Sequence, residues 1–217
     1  MHNSSLVSLS QSQANLIGLG SHLSVEERND LFDLLTHAEG FASRFLDHEE
    51  LWKPWLDRYR NRLEKHGCIS RGSLSHPPQV INDYADFDAQ LGPVGTGGVP
   101  AQLARQARDA LGVLRGSAFA RRFFQRGSAN GQSSTFLVTP CLRDARGRIE
   151  FAVYAFQLNA SVEIRDFDFW TETRRDIVVW HVGTAYRFDR EQFAAYREQV
   201  QKDLLGWSQR ALEELSL

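Results

Sequence analysis

Asp166, Asp168 and His181 are the residues whose types could do acid–base chemistry together. They fall on segments read as neighbouring strands, and an aspartate beside a histidine can orient the imidazole as a general base, which would make the chain a hydrolase. The spacing places no serine or cysteine nucleophile with them. The plainer reading is two solvent-facing acids and a hydrogen-bonded histidine. Cys141 follows Pro140 inside a β-rich run and has none of the local context of a thiol enzyme. Cys141 and Cys68 are both read as reduced core residues. No pair of His or Cys has zinc spacing, and His48-Glu49-Glu50 is not His-Glu-x-x-His. The expectation is no metal and no cofactor, with enzyme activity left open and ranked below a non-enzymatic role.

Three further groups could bind rather than react. Arg105, Arg108, Arg115, Arg121, Arg122 and Arg126 lie within 22 residues, opposed only by Asp109 and interleaved with Phe119, Phe123 and Phe124. Such a basic, aromatic segment suits phosphates, an acidic partner or a membrane surface, or else is a solvated helix face over core phenylalanines. The glycines from Gly92 to Gly98 precede a helix start, where backbone amides cradle anions. They lack the Lys-Ser/Thr of a P-loop and read more simply as a linker. Trp52, Trp55 and Tyr59 could form an aromatic box, but their helical spacing reads as core.

These residues need elements to position them. Residues 133–188 read as four consecutive strands: 135–142, 149–158, 162–170 and 177–188. Turns are expected at 143–148, 159–161 and 171–176, with a bulge near Arg165. The second and fourth strands are apolar at odd and even positions alike, and such strands are covered on both faces. After Phe188 the hydrophobic period changes from 2 to 3.6. Asp189 and Gln192 have capping-box spacing, Phe188 and Phe193 flank them as a staple, and Phe193, Tyr196, Val200, Leu204, Trp207, Ala211 and Leu215 form one stripe. Upstream, Ser24 and Glu27 open a helix to about Asp47, with Gly40 inside it. A second helix takes Pro54 in its first turn and ends at Gly67. Cys68 to Ser75 reads as a short strand at a sheet edge. A helix beginning near Pro100 carries Leu103, Ala107, Ala110, Leu111 and Leu114.

The chain has 217 residues, 42% of them hydrophobic and 11% aromatic, enough for one core of good size. Its formal net charge of −2 gives no global attraction to nucleic acid. No apolar run reaches the length of a membrane-spanning helix, and the first 21 residues lack a secretory signal. The default compartment is the cytoplasm, with leaderless export left open. The expected organisation is a flexible arm at 1–21, a helical part with one strand at 22–91, a Gly-rich hinge with basic helices at 92–132, and the strands with the final helix at 133–217. Residues 22–217 form one compact domain in this reading.

The fold class follows: α+β, an antiparallel four- to five-stranded meander covered by N-terminal helices and a long C-terminal amphipathic helix. One face is assigned to the C-terminal helix and the other to the N-terminal half. Functionally, a non-enzymatic protein acting through contacts with another protein ranks first. A membrane-active effector or toxin-like protein of bacterial type, released without a signal peptide, ranks second. The hydrolase using Asp166, Asp168 or His181 ranks third. Pairing into a homodimer is expected if one sheet face lacks its cover.

Overall fold

The computed structural model describes residues 6–9, 15–19, 22–81, 99–114, 132–167 and 170–215. The order is β1 (Leu6–Leu9), β2 (Asn15–Leu19), α1 (Val25–Ser43), α2 (Trp52–Lys65), β3 (Cys68–Ser75), β4 (Gln79–Ile81), α3 (Ala101–Leu114), β5 (Gln132–Arg143), β6 (Ile149–Phe167), β7 (Trp170–Phe188), α4 (Arg190–Ala194) and α5 (Arg197–Leu215). The class is α+β, as expected. One sheet runs β1-β2-β5-β6-β7-β3, with β4 also on β7. Every pairing is antiparallel except β2 with β5.

Several expectations change. Residues 6–9 and 15–19, read as part of a flexible arm, form strands. Their apolar residues (Leu6, Val7, Leu9, Leu16, Ile17, Leu19) suit a ladder, and β2 pairs along β5 from Asn15–Leu137 to Leu19–Cys141. The four segments of 133–188 are three strands. Residues 159–161 and 171–176, read as turns, lie inside a hairpin of two 19-residue strands, where 159–161 pair with 176–178 and 171–176 pair with 161–166. Its register is unbroken from Ile149–Phe188 to Phe167–Trp170, so there is no bulge near Arg165. Polar residues marked turns in the sequence, yet here the cross-strand partner satisfies the same backbone groups. The turn at 144–147 and the edge strand at 68–75 form as expected.

The helices obey their local signals more closely. Ser24 Oγ accepts from Glu27 N at 3.2 Å, and Glu27 accepts from Ser24 N at 2.8 Å, a complete capping box. Asp189 accepts from Gln192 N at 3.1 Å, with the Phe188 and Phe193 rings 5.4 Å apart. The final helix is two pieces, however, broken between Ala194 and Arg197.

The sheet is a buried middle layer. One core joins Phe136, Val138, Tyr154, Phe156, Leu158, Ile177 and Val179 to Leu103, Ala107 and Leu111 of α3. The other joins Leu137, Phe151, Val153, Ala155 and Tyr186 to α1, α2, α4 and α5 through Leu31, Leu34, Leu35, Trp55, Tyr59, Phe193 and Val200. This corrects the division of labour. The N-terminal and C-terminal helices share one face, and α3 covers the other. A stripe shows that a helix has a buried side, but not which sheet face it meets.

Gly183 faces the fully buried Tyr154 across the β6–β7 ladder. A Cβ there would lie 2.9 Å from Cδ1 of the ring and 3.0 Å from Cε1. Gly183→Ala is expected to cost about 1–3 kcal/mol of unfolding free energy by overpacking, read from urea midpoints.

Candidate functional site: a charge-free band of sheet under latched helices

The register aligns three segments side by side. Residues 132–141 of β5 pair with 151–160 of β6, which pair with 177–186 of β7. This band is ten residues long and three strands wide, and it contains no Asp, Glu, Lys or Arg. Charges stand at both ends: Arg143, Glu150 and Arg187 at one, Glu163, Arg174, Arg175 and Asp176 at the other. Ten extended residues span about 33 Å. Among the described residues, no helix is long and apolar enough to cross a membrane.

Polar anchors hold the cover in place, and most start on α1. Glu27, Asp30, Leu34 and His37 share one helical face at steps of three and four. Glu27 pairs with Arg143 of β5. Asp30, buried, accepts from Arg190 at 2.7 Å and from Arg197 at 2.7 and 2.9 Å. Burial alone would raise the Asp30 carboxyl, but the Arg197 and Arg190 contacts outweigh it and the net shift is downward. His37 is wholly buried, with Nε2 3.0 Å from Asp203 Oδ2 of α5 and 3.3 Å from Arg62 Nη2 of α2. Its ring stacks on Trp207, with centroids 5.1 Å apart and planes 3° apart. Desolvation lowers the His37 pKa, against the pull of Asp203. His66 beside it is lowered by the same cause. Gly40 has a packing role: a Cβ there would overlap the Trp207 ring.

His181 is also buried, in a row of rings across the sheet. Phe136 stacks on Phe156 at 4.9 Å, Phe156 on His181 at 5.8 Å, and His181 meets His76 at 4.4 Å. Its Nε2 has no hydrogen-bonding partner among the described residues. Desolvation, then the neighbouring His76, brings its pKa down to about 4.

Among the described residues, those singled out by the sequence are not gathered into one site. Asp166 pairs with Thr171, ten residues along β6 from Phe156, the partner of His181. That separation is about 33 Å, so the pairing does not bring the Asp166 and His181 of the hydrolase reading together. Asp168 lies outside the described residues. So do Arg115, Arg121, Arg122, Arg126 and the glycines from 92 to 98. Arg105 and Arg108 are on the exposed side of α3. Cys68 and Cys141 are free and buried, and burial pushes both thiols far up, which disarms them as nucleophiles. Trp55 and Tyr59 are core, with rings 5.5 Å apart. No group of three or more His, Cys, Asp or Glu able to hold a metal occurs among the described residues. The reading of single residues missed the charge-free band and the α1 anchors. The spacing of Glu27, Asp30 and His37 on one helical face was the available signal.

No family model matches this chain, and no curated protein matches it. Among solved structures it is similar in outline to a delta-endotoxin, with a TM-score of 0.46 and 12% identity, covering 87% of this chain and 88% of that one. It is similar to the activated Cyt2Ba monomer from Bacillus thuringiensis subsp. israelensis, with a TM-score of 0.46 and 14% identity, covering 82% of this chain and 98% of that one. For the Evf virulence factor the TM-score is 0.37 at 11% identity, covering 93% of this chain and 82% of that one. Likenesses this distant carry no argument about activity.

The lowered imidazoles give a pH dependence with a definite sign. Unfolded, these histidines titrate near 6.5; folded, they resist the proton. Their contribution is therefore complete above about pH 6.5 and is lost as the pH falls toward 4. For His181 alone the shift from 6.5 to about 4 corresponds to about 3 kcal/mol. Urea midpoints should fall steadily between about pH 7 and 4, and His181→Phe should remove about 3 kcal/mol of that loss.

Proposed function

We propose that the protein is membrane-active: the helical cover opens and the three-stranded band enters a lipid bilayer. The observation that carries this reading is the in-register band of ten residues free of charged side chains, with charges at both ends. A membrane-crossing strand needs about 9–11 residues for a hydrocarbon core of about 30 Å. β6 and β7 supply that length as one continuous hairpin, so their inner backbone groups stay paired during transfer, as lipid requires. Strands apolar on both faces would not need their helices once lipid replaced them. The helices are held by discrete polar anchors at His37–Asp203 and Asp30–Arg197, which compete well with water but not with a new apolar environment for the sheet. The reading rests on this chain's own strands and its own cover. It reverses the order drawn from the sequence, where contact with another protein ranked above lipid.

Flotation with vesicles of mixed zwitterionic and anionic lipid, together with release of a trapped dye, tests it. The expected result is co-flotation, dye release, and protease protection of a fragment spanning 151–186. Absence of both flotation and release, at low salt with anionic vesicles, overturns it. Asp203→Ala removes the anchor from α5 to His37, and Gly40→Ala pushes Trp207 off α1. Each should speed dye release several-fold while lowering the unfolding midpoint.

A further inference from the structure

Beside the end of the band lies a cleft of about 380 Å³, lined by Glu49, Glu50, Trp52, Lys53, Gln157, Asn159 and Trp180. That volume is at the small end of the roughly 300–1,000 Å³ of small-molecule sites. The two halves of its wall are built differently. Gln157 and Asn159 are successive residues on one face of β6, and Trp180 is directly opposite Gln157 on β7. The other half is the loop between α1 and α2 and the first turn of α2. Asp47 orders that loop by accepting from Glu49 N at 2.7 Å and Glu50 N at 3.0 Å.

A buried polar pair fastens loop to sheet. Thr135 Oγ1 hydrogen-bonds to Gln157 Oε1 and lies 2.8 Å from the His48 carbonyl. Gln157, only 2% exposed, donates from Nε2 to the Glu49 carbonyl at 3.4 Å and to Asn159 Oδ1 at 3.1 Å. The Asn159 amide is thereby oriented: its oxygen is engaged, which leaves Nδ2 as a donor on its other limb. Buried Thr and Gln side chains in a β-core are costly unless hydrogen-bonded, and here the bonds that satisfy them tie the loop to the sheet. What they position here is a half-exposed wall of amide, carboxylate, ammonium and indole.

The charges of that wall select the ligand. Lys53 Nζ stands 5.6 Å from the centroid of the Trp52 ring, so a cation already occupies that indole face. A quaternary ammonium ligand would meet Lys53 there, and an anionic ligand would meet Glu49 and Glu50. A neutral, hydroxyl-rich ligand is opposed by neither. It can donate to the carboxylates, accept from Asn159 Nδ2 and Lys53, and lay its apolar ring face against a half-buried indole such as Trp180. We propose that this cleft is a carbohydrate-binding site, sized for one or two pyranose rings of a neutral glycan. The assignment is independent of the membrane reading, since the loop, Gln157 and Trp180 make it without any opening of the cover.

The test is the full-length protein on a printed array of neutral and sialylated glycans, followed by calorimetric titration of the retained saccharide as a free sugar. Retention on a subset of neutral glycans is expected. Asn159→Ala, Trp180→Leu and the exposed Lys53→Ala should each weaken binding about ten-fold or more, which is about 1.4 kcal/mol. Arg105→Ala, on α3 at the other face of the sheet, should leave it unchanged. Lys53→Ala alters an exposed side chain, so its effect is read on folded protein even if a β-strand variant is unstable. No retention on any neutral glycan overturns the proposal. So does retention unaffected by all three variants, or competition by choline chloride. Vesicle dye release without glycan binding would sink this site and leave the membrane reading standing; glycan binding without dye release would do the reverse.

Discussion

The structure depends on a hairpin that is greasy on both faces. β6 and β7 place Phe151, Val153, Ala155 and Tyr186 on one side and Tyr154, Phe156, Leu158, Ile177 and Val179 on the other. Neither side can face water without exposing a continuous apolar surface. Every helix is placed by that requirement. The cover is uneven: α3 serves one face, while α1, α2, α4 and α5 share the other.

Apolar contact alone would let the larger cover slide, because hydrophobic burial has no direction. The polar side chains of α1 remove that freedom. Glu27 reaches the sheet, Asp30 reaches α4 and α5, and His37 reaches α5 with Arg62 of α2 alongside. Breaking one of these pairs leaves a desolvated partner, which makes each anchor costly to lose even where the intact pair adds little net stability. The glycine at position 40 belongs to the same device, since it lets the Trp207 indole lie against the α1 backbone and stack on His37.

A second polar insertion has a different purpose. Thr135 and Gln157 are buried on the strands and turn their hydrogen bonds toward the loop after α1. They fix where Glu49, Glu50, Trp52 and Lys53 stand relative to Asn159 and Trp180. None of these residues forms a recognisable motif in sequence, because the two groups are more than a hundred positions apart.

The sequence by itself determined the class of fold, the capped starts of α1 and α4, the edge strand at 68–75 and the two-sided burial of the central strands. Those features are encoded locally, in residue period and in side chains that bond a backbone group three residues away. It misplaced the turns at 159–161 and 171–176, because polar residues signal a turn only when no neighbouring strand takes up their backbone groups. Tertiary structure alone decided which helix covers which face, the joining of the three expected strands 149–158, 162–170 and 177–188 into one hairpin of two 19-residue strands, the separation of Asp166 from His181, and the cleft around Asn159 and Trp180. All four depend on register and docking between segments far apart in the chain. A one-dimensional pattern specifies that a surface must be buried, but its partner is chosen by the competition among all the apolar faces at once.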